Sequence, residues 1–70
     1  MPRKRNRLEI AVGARYRHRD APSVIWEVIA LYVGVDGKQH TLLSNIADPT
    51  SRKTISEIEL ERSGHYDRVS

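Results

Sequence analysis

The run VIWEVIALYV at residues 24–33 limits this chain more than any other feature. It is dense in β-branched and aromatic residues, which fit a pleated surface better than a helix. Pro22 stands just before it, and residues 34–37, GVDG, follow it. Asp-Gly is a favoured pair for a tight hairpin turn, because both central positions tolerate positive φ. The run therefore predicts a long strand, with a return strand over residues 38–47, KQHTLLSNIA. Apolar residues fall on both alternating faces. Trp26, Val28, Ala30 and Tyr32 share one, and Ile25, Ile29, Leu31 and Val33 share the other with Glu27. A bent strand serving two parts of a curled sheet accounts for that pattern.

The flanking segments are shorter. Residues 1–7, MPRKRNR, offer nothing to bury and read as a flexible basic arm. The single domain then spans residues 8–70. Leu8, Ile10 and Val12 alternate as a short strand or extended lead-in, interrupted by Gly13. In residues 14–19, ARYRHR, the alternation aims Arg15, Arg17 and Arg19 one way and Ala14, Tyr16 and His18 the other. Residues 20–23, DAPS, and 48–51, DPTS, carry loop chemistry. Residues 52–55 form a short strand. Ser56, with Glu59 three residues later, is a capping box that starts one helical turn, through residues 60–62. Ser63 and Gly64 end it, and residues 65–69 form a last strand.

Seventy residues make one domain at most. With no cysteine there is no disulfide framework and no thiolate metal site. No apolar run reaches the roughly 18 residues of a membrane helix, and no apolar segment follows the basic N-terminus as in a secretory signal. A cytoplasmic location is the resulting expectation. Trp26, Val28 and Leu43 are expected in the core.

The order of elements is that of an SH3-like small barrel of five strands, with one short helical turn before the last. Gly13-x-x-Tyr16, Trp26-x-Val28, the turn at 34–37, Leu42-Leu43, Lys53-Thr54-Ile55, Leu60 and Tyr66-x-x-Val69 carry the likeness. Over residues 13–69 the chain resembles small bacterial barrel proteins of the KOW/Tudor-like kind. The resemblance implies an all-β barrel.

Charge is unevenly spread. Residues 1–20 hold seven cationic side chains against two carboxylates, and residues 21–70 hold five against seven. A polyanion-facing end on an ordinary domain is the implication. Arg3, Lys4, Arg5 and Arg7 would form a clamp, with Arg15, Arg17 and Arg19 as a platform. Lys38, Arg52 and Lys53 would flank it. On a strand the platform charges stand about 6.6–7 Å apart, near the phosphate spacing of an extended nucleic acid. Arginine also grips phosphate through two donors and stacks on bases. The competing reading pairs these arginines with Glu27, Glu57, Glu59 or Glu61.

Other chemistries have weaker support. His40, Ser44 and Asp48 can be written as a triad, but a triad is defined by geometry. His18-Arg19-Asp20 and His65-Tyr66-Asp67 repeat a His-x-Asp pattern, yet zinc spacings are absent. Tyr16, Trp26, Tyr32 and Tyr66 suffice in number for an aromatic cage, and read first as core. The expectation is a non-enzymatic module without a cofactor that contacts RNA or DNA phosphates. The alternative is a protein-interaction adaptor using a sheet edge or the acidic set Glu57, Glu59 and Glu61.

Overall fold

A computed structural model describes residues 10–69. It is an antiparallel five-stranded sheet with one short helix. The strands are β1 (Arg15–His18), β2 (Ala21–Val33), β3 (Gln39–Asn45), β4 (Asp48–Ser56) and β5 (Tyr66–Arg68), with α1 (Glu57–Arg62) between the last two. The spatial order is β4-β3-β2-β1-β5. The all-β expectation holds, but the closed barrel does not: β4 and β5 are the two edges of an open sheet. β5 pairs with β1, as the first and last strands of the expected layout would.

β2, 13 residues long, is the axis of the sheet. Its alternation changes phase at a bulge between Val28 and Ala30. A bulge adds one residue to one strand, so every later side chain swaps faces. Leu31 thereby joins Trp26 and Val28 against the core, and Tyr32 turns out to solvent. The expected face Trp26, Val28, Ala30, Tyr32 is thus broken after Val28.

The boundaries moved for similar reasons. Residues 20–23 are not a loop, because β2 already begins at Ala21 after a turn at Arg19 and Asp20. The irregular pairing of His18 with Ala21 absorbs Pro22, which has no N–H to donate. Residues 48–51 belong to β4, and the tight turn lies at Ile46 and Ala47. Asn45 Oδ1 accepts from the Ala47 N–H at 2.9 Å, which fixes that turn. Pro49 sits in the irregular stretch between the Asn45–Asp48 and Ser44–Arg52 pairs. Residues 10–12 form no strand. They lead into a turn where Gly13 adopts φ 99°, and its N–H bonds to Val28 O at 2.8 Å.

Ser56 caps α1 as the sequence implies, its side chain accepting from the Glu59 N–H. The helix lays Leu60 into a core made with Ile10, Tyr16, Val28 and Leu43. Val28 and Leu43 are fully buried as expected. Trp26 is only partly buried, packed beside the core instead of inside it. Thr41 is also buried, and its hydroxyl donates to Ile55 O at 2.9 Å.

Tyr16 ties helix to sheet, its phenol donating to the Glu61 carboxylate. Burial, reinforced by that carboxylate, pushes the phenol well above its ordinary value near 10. A raised value means the folded state holds the proton more tightly than the unfolded chain. The contribution is fully present below about pH 10 and is lost as pH rises through the folded value. Urea midpoints should therefore drop above about pH 10, approaching 1.4 kcal/mol per pH unit from this group. Tyr16→Phe should be less stable at neutral pH and lack that component. Equal alkaline slopes in the two proteins would count against the Tyr16–Glu61 tie.

Candidate nucleic-acid interface

Residues facing each other across antiparallel strands project to the same side of a sheet. Arg15 faces Glu27, Glu27 faces Ser44, and Ser44 faces Arg52. A second row holds Ile25, Arg17 and Asp67. These rows lie on the face opposite the core, where the platform residues Arg15 and Arg17 and the flanking candidate Arg52 are exposed. Arg19, just past β1, reaches the same Asp67. The two rows with Arg19 thus gather four arginines against two carboxylates.

Those carboxylates engage two of the three platform arginines. Arg19 donates to Asp67 Oδ1 from Nε at 3.1 Å and from Nη2 at 2.9 Å. This holds the Asp67 carboxyl below its ordinary range, and Arg17 adds to the effect. Arg15 comes within 3.9 Å of Glu27. Of the acidic partners considered from sequence, only Glu27 approaches the platform. Glu57 accepts from Gln39, Glu61 from Tyr16, and Glu59 lies 3.4 Å from His65. Water screens pairs this exposed, so they contribute little net stability and a polyanion competes with them readily.

The remaining sequence candidates scatter. Arg3, Lys4, Arg5 and Arg7 lie outside the described residues. Lys38 sits at the hairpin tip, about 20 Å along β2 from Arg15 at 3.3 Å per residue. Lys53 follows Arg52 in β4 and so faces the other way, to the core side with Leu43. There its Nζ lies 4.3 Å from the Trp26 ring centroid and 2.8 Å from the Tyr66 hydroxyl. Sequence reasoning missed Arg68, which stands over the Tyr16 ring at 5.7 Å. The Tyr16–Arg68 register put it there, and no local pattern announces which residues two distant strands will pair.

The other constellations come apart. His40 turns to Asp36 at 3.3 Å, and the buried Ser44 lies near Pro49 O at 3.5 Å, so His40, Ser44 and Asp48 form no triad. The Asp36 carboxyl is held low chiefly by the Lys38 N–H and then by His40. His18 and His65 stack at 5.8 Å, but Asp67 is taken by Arg19. His18 Nδ1 accepts from the Asp20 N–H at 3.0 Å, so its 3.9 Å approach to the Asp20 carboxylate is not an ion pair in that state. Among the described residues no three His, Asp or Glu side chains gather as metal ligands. Among them, too, no helix is long and apolar enough to cross a membrane. No protein-family model, curated protein or solved structure matches the chain.

Proposed function

We propose that this protein is a non-enzymatic module that binds single-stranded RNA or DNA through its phosphates, with little sequence preference, in the cytoplasm. The observation that carries the reading is the excess of exposed arginine on one sheet face: Arg15, Arg17, Arg19 and Arg52 against Glu27 and Asp67. Phosphate contacts position a protein without reading sequence. The basic segment at residues 1–7 extends the same charge. The resemblance to KOW/Tudor-like small proteins belongs to this reading through its strand order, with an open sheet in place of a barrel.

The adaptor reading draws on a different observation, the carboxylate partners of Arg15 and Arg19. Its acidic face is weakened, because Glu57 and Glu61 turn to Gln39 and Tyr16. What remains to it is the edge of β4, which pairs with no further strand among the described residues.

Fluorescence anisotropy of a short labelled oligonucleotide across salt concentrations separates the two. Neutralising about four to six phosphates gives a log–log slope of roughly −3 to −4 for a single strand. Asp67→Asn releases Arg19 and removes a repelling charge, so it should tighten binding at low salt by several-fold. No binding by the wild type at low salt, or weaker binding by Asp67→Asn, would leave the adaptor reading in front.

A further inference from the structure

The arginine rows leave one cation unexplained. Lys53 projects to the opposite, core-bearing face, where its ammonium has an uncharged cradle. It lies 4.3 Å from the centroid of Trp26 and 5.1 Å from that of Tyr66, and donates to the Tyr66 hydroxyl at 2.8 Å. Among the described residues no carboxylate lies within 4.0 Å of it. The cradle spans the seam between the sheet edges, since Lys53 is on β4 and Tyr66 on β5. His18 packs edge-on with Tyr66, the ring centroids 4.8 Å apart. Trp26 is only partly buried, although it is the bulkiest side chain beside the core.

We infer that this notch is a nucleotide subsite, in which one unpaired base stacks on Trp26 while its phosphate meets Lys53 Nζ and the Tyr66 hydroxyl. The inference rests on the single-strand reading above and names where that strand is held by its bases. Three features fit a nucleotide better than a bare anion. The indole offers a flat face of the size that bases stack on, and stacking tolerates every base. The ammonium is a strong donor with no counter-anion among the described residues, and it is set beside that face. The lysine stem is flexible, so its head exchanges the indole for a phosphate while staying within reach of the phenol. A strand that also engages Arg17 and Arg19 must pass over β5, which is the short edge of the sheet at three residues.

Trp26 is the only tryptophan, so its emission reports on the notch alone. Two probes are titrated at low salt: a short oligothymidylate and inorganic polyphosphate. Oligothymidylate should quench Trp26 strongly by stacking on it, whereas polyphosphate, which can engage the arginines and Lys53 but cannot stack, should change the emission much less. Lys53→Met keeps an apolar stem against the indole. It should weaken the oligonucleotide about 3- to 10-fold, in keeping with the loss of one phosphate contact. Oligonucleotide binding seen by anisotropy with unaltered Trp26 emission would overturn the subsite and spare the arginine interface. So would equal quenching by both probes, or an unchanged affinity in Lys53→Met. Absence of oligonucleotide binding by either readout would instead remove the single-strand reading, and the subsite with it.

Discussion

Leu43→Ala should leave the protein largely unfolded at room temperature. Leu43 is fully buried in the middle of β3, packed with Val28, Tyr16, Ile10 and Leu60. Truncating such a leucine costs about 2–5 kcal/mol, since the cavity left behind collapses only partly. At roughly 0.05–0.15 kcal/mol per residue, a chain of this length has only about 3.5–10 kcal/mol in all. The loss therefore approaches the total at the lower end. Urea unfolding followed by Trp26 emission gives the measurement. Val35→Ala is the control, because Val35 is fully exposed at the hairpin tip and its truncation should fall within about 0.5 kcal/mol. A Leu43→Ala protein with a nearly unchanged midpoint would contradict the core described here.

Replacing Arg15, Arg17 and Arg19 together by Gln should flatten the salt dependence of oligonucleotide binding by about two units, since each lost single-strand phosphate contact removes about 0.7. The same loss implies affinity more than tenfold lower at about 50 mM salt. Folding should be little affected. Arg15 and Arg19 make only exposed pairs, at 3.9 and 2.9 Å, and such pairs contribute little to stability. Gln retains the length and polarity of a strand-surface residue. A triple variant with wild-type slope would show that the platform does not touch phosphate. Binding would then have to come from elsewhere, with the basic segment at residues 1–7 the next to remove.

Much of this fold was legible because local and long-range signals agreed. The β-branched run and the Ser56 cap each named their own element, and each formed; the hairpin also formed at residues 34–37, but Val35 and Asp36 are its central pair and only Gly37 takes positive φ. Alternation in β1 correctly set Arg15 and Arg17 outward and Tyr16 inward. What stayed hidden depended on pairing between strands far apart in sequence. Nothing near Leu31 signals the bulge that turns it inward, because the extra residue is defined only against β3. Asp67 was counted as a metal candidate, and it became an arginine partner only through the β1–β5 register. Closure of the barrel failed for a similar reason: strand order is readable in a sequence, but whether two edges meet depends on curvature. One signal was available and went unused. Adjacent residues of a strand face opposite ways, so Arg52 and Lys53 could not both flank one platform.

The bulge in β2 has a consequence for how this chain tolerates length changes. It acts as a half-period phase step in a two-residue wave. Upstream and downstream halves of one strand are each in phase with the core, but out of phase with each other. Deleting Ile29 would take out that extra residue and leave Val28, Ala30 and Leu31 opposite Leu43, Leu42 and Thr41 in unbroken alternation, whereas a further inserted residue there would turn Leu31, or Trp26 and Val28, to solvent. A one-residue insertion at Val35 and Asp36, beyond the last rung of the ladder, changes no phase at all. The segment between Trp26 and Leu31 therefore keeps its core contacts with four residues and a bulge or with three and none, while the hairpin tip accepts a change of length without any such compensation.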